Sequence, residues 1–153
     1  MTSETTVLSI LLVRLAGAQI GFSASSIREV LRSVTIAPLL GTPRIIEGAV
    51  NFRGRIVPVV NVRARLSLPA LANAPDQFLV ILEVRERLIA VRVDDVEDLV
   101  DVDMSELETP KVVSPVVERL TGIAATAAGA LVIYDADAFL TQAERDAIDA
   151  VET

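Results

Sequence analysis

Short apolar runs separated by turn residues recur along the chain. Their lengths and their content of Val and Ile are typical of β-strands and are too short for core helices. The pattern predicts strands at residues 7–15, 19–22, 48–52, 55–62, 78–84, 88–93 and 130–134. Tight turns at residues 16–18 and 85–87 join neighbouring runs, so the pattern also predicts two hairpins.

Helices are predicted to be brief and peripheral. Thr42 before Pro43 places a capping hydroxyl ahead of a proline at the first helical position, which predicts one helical turn through Ile46. Thr141 and Glu144 have the spacing of a capping box ahead of apolar residues. This spacing predicts a C-terminal helix.

The two halves of the chain resemble each other. The first hairpins align without a gap, pairing Leu11 with Val80, Val13 with Leu82, Ile20 with Ile89, Phe22 with Val91 and Ile27 with Val96. After a short insertion the later strands align, pairing Gly48 with Gly122, Val57 with Leu131, Asn61 with Asp135 and Leu66 with Leu140. The repeat predicts two similar small barrels or sheets in one domain. The alternative is a chance match between two apolar strand meanders.

Composition narrows the class of protein further. A chain of 153 residues fits one domain with a proper core, and 52% hydrophobic content with only four Phe and one Tyr predicts an aliphatic core. The chain has no Cys and no His, which excludes disulfides, Cys or His metal sites and imidazole catalysis. These absences exclude much of ordinary enzyme chemistry.

Charge points to protein partners. The net charge of −7 opposes binding to nucleic acid and to an anionic membrane surface. Residues 7–13 superficially resemble a signal sequence, but Glu4 is the only charge before them and Arg14 follows at once, so we interpret them as a strand. No apolar stretch approaches the roughly 20 residues of a membrane-spanning helix.

The segment 48–58 predicts a strand, a tight turn and a second strand. Asn51 and Gly54 suit the bend, so Arg53 is presented at the turn. Its guanidinium offers a planar fork of donors to a carboxylate or to backbone carbonyls of a partner. A solvated surface arginine is the simpler interpretation, but the matching segment of the second half, residues 124–129, has lost every charged residue.

A run of carboxylates follows the second hairpin, at Asp94, Asp95, Glu97, Asp98, Asp101, Asp103, Glu106 and Glu108. Its spacing lacks the glycine of an EF-hand loop, and Val or Leu separates most of the acids. A solvated strand face is the main interpretation. The alternative is a small hydrolase that uses paired carboxylates such as Asp94 and Asp98.

The strongest motif covers residues 46–68 and reads IEGAVNFRGRIVPVVNVRARLSL. Supporting segments are Ile27 to Val30, the Thr42 and Pro43 turn, and residues 120–123. From about residue 7 to residue 140 the chain resembles the CheW family of bacterial chemotaxis coupling proteins. It departs from the family pattern at Asn61, where Asp is common, at Phe52, where Leu is usual, and at Ser67, where Gly is frequent.

The resemblance implies a mostly β fold of two five-stranded SH3-like barrel subdomains packed together, with short helices and a C-terminal helix. We expect a disordered segment at residues 1–6, a CheW-like domain at 7–141 whose two subdomains correspond roughly to the two halves, and a helix with tail at 142–153. The resemblance also implies a cytoplasmic location in arrays of membrane receptors, without direct membrane contact.

The same resemblance implies a non-catalytic adaptor, so we expect no enzymatic activity, no cofactor and no metal. It would bridge the cytoplasmic tip of a methyl-accepting chemoreceptor and the regulatory domain of a histidine kinase. The implied partner-binding residues are Arg53, Asn51, Gly54, Ile27, Glu29 and Gly48. An adaptor of a different chemosensory pathway, one that controls pili or gene expression, is the nearest alternative.

Overall fold

Ten β-strands, two α-helices and one 3-10 turn form the regular structure of the described residues, which in this computed structural model are 7–32, 35–65, 68, 76–103, 120–126, 129–134 and 142–152. The first half contains β1 (Val7–Leu15), β2 (Ala18–Ser23), β3 (Ile27–Arg32), β4 (Ile46–Phe52), β5 (Arg55–Val60) and α1 (Val62–Arg65). The second half contains β6 (Phe78–Val84), β7 (Arg87–Val93), β8 (Asp95–Asp103), β9 (Leu120–Thr126), β10 (Gly129–Tyr134) and α2 (Gln142–Glu152).

The strands form two five-stranded sheets of matching design. The first sheet has the order β8-β1-β2-β10-β9, and the second sheet has the order β3-β6-β7-β5-β4. In each sheet one neighbouring pair is parallel, β2 with β10 and β5 with β7, and the other pairs are antiparallel. These sheets are the two SH3-like subdomains that the resemblance implied.

The expected division of the subdomains into halves of the chain is wrong. Each sheet takes its central hairpin from one half and its other three strands from the other half. The hairpin β1–β2 joins strands β8, β9 and β10, while the hairpin β6–β7 joins β3, β4 and β5. The two halves therefore exchange their hairpins, and neither sheet exists without both halves.

The core explains why the strands read as continuous apolar runs. One cluster lies between the sheets, and in it the aligned residues of the two halves meet: Leu11, Val13, Ile20, Phe22, Val80, Leu82, Ile89 and Val91. Alternate residues such as Leu79, Ile81 and Ala90 fill a second cluster inside the second sheet. A strand that is buried on both faces cannot alternate between apolar and polar residues.

The two-residue turns have a common geometry. Both residues have positive φ in each, at Ala16 (53°) and Gly17 (81°), Arg53 (51°) and Gly54 (82°), and Arg85 (51°) and Glu86 (66°). A turn of this kind matches the twist of the paired strands. A side chain at positive φ costs about 1 kcal/mol, which the hairpin must offset.

Two local predictions need correction. The strand predicted over residues 55–62 ends at Val60, because Asn61 caps α1 by accepting the Ala64 N–H with Oδ1 at 3.1 Å. Asn61, at a position where Asp is common in the family pattern, thus supplies a capping acceptor. The helical turn predicted through Ile46 is a plain turn, in which the Ile46 N–H donates to the Pro43 carbonyl at 2.9 Å.

Burial is the physical reason for the second correction. Ile46 is 7% exposed and pairs with Val60 at the start of β4, so packing in the core between the sheets overrides the local helical preference. The Thr42 hydroxyl donates instead to the Leu39 carbonyl at 3.2 Å. The predicted C-terminal helix is confirmed as α2.

Several predicted features fall on residues outside those described. They are the disorder of residues 1–6, the capping role of Thr141, the match of Leu66 with Leu140, the turn residues 127 and 128, Asp135, Ser67, Glu106 and Glu108. Among the described residues no helix is long and apolar enough to span a membrane.

Candidate functional site

The turn between β4 and β5 fixes the position of Arg53. Arg53 and Gly54 are its two central residues, and the Gly54 N–H donates to Asn51 Oδ1 at 2.9 Å. Asn51 lies at the end of β4 rather than in the bend itself, and its side chain closes the turn from there. The sequence prediction that Asn51 and Gly54 shape this turn is consistent with these contacts.

The Arg53 side chain is exposed but not free. It is 71% exposed, and its Nη2 lies 3.2 Å from Glu29 Oε1 on β3. Its guanidinium carbon also lies 5.1 Å from the centre of the Phe52 ring, a cation–π distance. Phe52 itself is buried, so the aromatic ring anchors the arginine to the core beneath it.

The ion pair joins two strands that are far apart in the sheet order. Glu29 lies on β3 and Arg53 follows β4, and these strands are the two edges of the second sheet. Leu31 of β3 and Ile36 pack against the core that β4 and β5 line, so the sheet curls and brings its edges together. Glu29 and Arg53 lie at the rim of the resulting barrel.

Ile27 occupies a different part of the second sheet. It begins β3, is partly buried and packs against the cluster between the two sheets. Its neighbour Arg28 pairs with Glu83 on β6 at 2.7 Å, which fixes this end of β3. The structure thus places Ile27 and Glu29 on one strand, but only Glu29 contacts Arg53.

Gly48 is buried beneath the segment that follows β3, and its part in partner binding stays a prediction. A Cβ atom there would lie 2.3 Å from the Ala37 carbonyl oxygen. Ala37 and Ala49 exchange two backbone hydrogen bonds, of 2.9 and 2.7 Å, across this contact. Gly48 lets the segment after β3 cover the edge strand β4, an edge that would otherwise be open to unwanted pairing.

Sequence reasoning missed a groove beside the Arg53 turn. The groove has a volume of about 800 Å3 and is lined by the β4–β5 hairpin, the β6–β7 turn, the segment at Leu39 and Thr42, and Asp149 of α2. Ile56 in its lining is 66% exposed, and the nearby Leu40 is 93% exposed. Because β5 reads as a continuous apolar run, its sequence does not reveal that Ile56 faces outward.

Asp94, a carboxylate considered for catalysis, takes part in a network of structural hydrogen bonds. Arg63 donates to Asp94 Oδ2 at 2.5 Å, the Ala16 N–H donates to the same oxygen at 2.9 Å, and Gln77 donates to Oδ1 at 3.3 Å. Burial raises the pKa of Asp94, but the hydrogen bonds from Arg63, Ala16 and Gln77 outweigh it and hold the pKa below its ordinary value. Asp94 therefore stays ionised as the partner of a buried arginine.

The same network continues into the second sheet. Arg92 donates to Gln77 Oε1 at 3.1 Å and to Glu47 Oε1 at 2.5 Å, so Gln77 joins two ion pairs. Asp98, by contrast, is exposed on β8 and accepts the N–H of the next residue. In the described part of β8 the acids form the solvated strand face that the alternation predicted.

No group of three or more acidic residues in the described part of the chain is arranged to hold a metal ion. The described residues of the candidate site form an exposed ion pair beside a groove with both charged and apolar lining. They do not assemble a general acid and a general base around a cleft.

Comparison with known proteins gives one consistent result. The family model of the CheW-like domain matches residues 9–144. The chain is 24% identical to the chemotaxis protein CheW of Klebsiella aerogenes over 99% of this chain and 92% of that protein. It is 24% identical to the CheW of Rhizobium meliloti over 80% of each.

The crystal structure of the scaffolding protein TtCheW from Thermoanaerobacter tengcongensis has the same fold. It superposes with a TM-score of 0.81 and 24% identity, and the match covers 94% of both chains. The family match spans both sheets, including both edge strands that Glu29 and Arg53 join. The chain belongs to the CheW-like domain family.

Proposed function

We propose that the chain couples the cytoplasmic tip of a chemoreceptor to the regulatory domain of a histidine kinase. The observation that carries the proposal is Arg53 itself, which is 71% exposed yet fixed by a positive-φ turn, Glu29 and Phe52. In the CheW family the matching arginine is tied to engagement of receptor and kinase.

The chain is a CheW-like adaptor of chemotaxis and not an enzyme, as its family membership implies. This removes the carboxylate-dependent hydrolase as an alternative. The side chain that such a hydrolase would need, Asp94, is already occupied by Arg63, Gln77 and a backbone N–H.

Recognition by Arg53 needs little rearrangement. Glu29 accepts from one terminal nitrogen of the guanidinium, and the planar group has further N–H donors for a carboxylate or carbonyl of a partner. The contact with Phe52 restricts the side chain before binding, which lowers the entropic cost of ordering it. Exposed Ile56 and Leu40 supply apolar surface around a charged centre, the usual composition of a binding hot spot.

Reconstitution tests the proposal. Purified protein is mixed with a receptor signalling fragment and the kinase, and kinase autophosphorylation is measured with and without each component. We expect autophosphorylation to depend on the receptor only when the chain is present. Absence of binding to both receptor and kinase would refute the proposed function.

A pair of variants locates the binding surface. Arg53→Ala is expected to abolish co-sedimentation with receptor and kinase and to leave the melting temperature within a few degrees. Arg44→Ala is the control, because Arg44 is also an exposed arginine of the first half. Equal co-sedimentation of the two variants would remove Arg53 from the site.

A further inference from the structure

The groove beside the Arg53 turn is an open surface at one end of the second sheet, with apolar and charged residues in its lining. The β4–β5 and β6–β7 turns border it together, because the strands that follow them, β5 and β7, are parallel neighbours. Ile56, Pro58 and Leu88 supply its apolar lining. Since Ile56 is 66% exposed, this surface is not filled by the chain's own core.

Charge distinguishes this groove from an ordinary apolar depression. Arg55, Arg85 and Arg87 line it, and only two carboxylates, Glu86 and Asp149, do so. Glu86 belongs to the β6–β7 turn, whereas Asp149 comes from α2 at the other end of the sequence. The C-terminal helix thus brings a carboxylate to a surface that is otherwise mostly basic.

Two ion pairs hold α2 in this place, and they differ in exposure. Near the start of the helix, Glu144 pairs with Arg65 at 2.5 Å, and the two side chains are 18% and 15% exposed. Near its end, Asp149 pairs with Arg87 at 2.7 Å, and Asp149 is 49% exposed. The first contact is partly buried, while the second is open to water and to competing anions.

We propose that the groove is a docking surface for a partner segment that carries carboxylates beside an apolar side chain, and that Asp149 of α2 competes with this segment. The apolar side chain contacts Ile56. A partner carboxylate replaces Asp149 on Arg87, which releases the end of α2 and places the partner beside Arg55. The inference rests on the proposed adaptor function. It adds the chemistry of the partner segment and an internal contact that lowers the apparent affinity for that segment.

The chain's own helix is the argument for this partner chemistry. The second half of α2 meets the basic rim through an acidic side chain, and Arg87 also donates to the Arg145 carbonyl at 3.4 Å. An internal contact lowers the apparent affinity of a competing ligand by the fraction of molecules in which the site is free. Because Asp149 is about half exposed in this pair, we expect the competition to be modest and readily reversed.

Calorimetric titration of the full-length protein tests the competition. The kinase regulatory domain and a receptor-tip fragment are titrated separately into wild-type protein, Asp149→Asn and Asp146→Asn. Asp146 is the matched control, because it lies on α2, carries the same charge and, among the described residues, accepts from Gln142 within the helix at 2.9 Å. All three proteins are first compared by thermal unfolding.

We expect Asp149→Asn to bind one of the two partners about 1.5- to 5-fold more tightly than wild type. Asp146→Asn should bind as wild type does. Ile56→Ser should weaken the same interaction about tenfold or more, since it removes the apolar anchor. The partner that responds is the one that occupies the groove.

The outcomes separate the inference from the proposed function. If wild type binds a partner and Asp149→Asn binds both partners no more tightly, Asp149 is not a competitor and the adaptor function stands. If wild type binds neither partner, both proposals fail. Hydrogen exchange adds a second readout: amides at the end of α2 should exchange faster on binding, and slower exchange would overturn the competition by making α2 part of the bound surface.

Discussion

Arg53 in the β4–β5 turn and Glu29 on β3 form an ion pair, with Nη2 3.2 Å from Oε1, that joins the two edge strands of the second sheet. The pair is exposed, so it contributes at most about 1 kcal/mol to stability. Its effect is positional, because it holds a guanidinium over the Phe52 ring at the rim of the barrel. The same side chain thus makes a structural contact and carries the proposed role in partner binding.

The first prediction separates these two roles of Arg53. Its φ of 51° is costly for any side chain but not for glycine. Arg53→Gly should therefore be more stable than Arg53→Ala by about 1 kcal/mol in urea unfolding, while both variants lose partner binding. Partner binding that survives in the glycine variant would show that the turn, and not the guanidinium, is recognised.

Gly48 provides a second prediction, on packing. Gly48→Ala should destabilise the protein by about 1 to 3 kcal/mol, because its Cβ would meet the Ala37 carbonyl oxygen at 2.3 Å and displace the segment that covers β4. Gly17→Ala is the comparison, since nothing lies within 4 Å of its Cβ and only its φ of 81° opposes the change. Urea unfolding midpoints measure both; a Gly48→Ala cost below that of Gly17→Ala would contradict the packing role.

The third prediction concerns acid stability. Arg63, Ala16 and Gln77 hold the pKa of Asp94 below its ordinary value of 3.8 in the folded protein. A lowered folded-state pKa stabilises the fold above pH 3.8, and this contribution is lost as the pH falls below 3.8 toward the folded-state value. Between these two values the wild type should lose stability more steeply than Asp94→Asn.

At neutral pH the free energy of unfolding of Asp94→Asn should be about 2 to 3 kcal/mol below that of wild type, because the variant removes the carboxylate that pairs with the buried Arg63. This cost is smaller than that of breaking a fully buried ion pair. Asp98→Asn is the control, since Asp98 is exposed on β8. Free energies of unfolding from urea titrations across the acid range provide the measurement. Parallel pH profiles for wild type and Asp94→Asn would show that Asp94 does not stabilise the fold by this route.

The sequence reveals the strands and the turns because these depend on local chemistry. Continuous runs of Val, Ile and Leu mark strands buried on both faces, and Gly17 and Gly54 mark turns with positive φ. The short helix α1 escapes the pattern because Val62 continues the apolar run of β5 although it packs from a helix. Strand β3, with polar residues at half of its positions, gives too weak an alternation to be recognised.

The candidate site is only partly readable in the same way. Arg53, Asn51 and Gly54 are close in sequence, so a turn motif brings them together. The contact with Glu29 depends on closure of the barrel, and the contact of Asp149 with Arg87 depends on where α2 docks. Local periodicity encodes neither of these contacts. It does not encode the exchange of hairpins between the sheets.

The exchange of hairpins supports the last prediction, on cooperativity. The β1–β2 hairpin pairs with β8 and β10, and the β6–β7 hairpin pairs with β3 and β5. Cutting the chain between its halves therefore separates each hairpin from the strands with which it pairs. Fragments 1–68 and 76–153 should therefore each remain unfolded alone, since an isolated hairpin is only marginally stable. When the two fragments are mixed, they should regain a β-rich circular dichroism spectrum. The intact chain should unfold in one calorimetric transition, because the two sheets share a core. A fragment that folds alone with a sharp thermal transition would mean that the halves, and not the sheets, are the folding units.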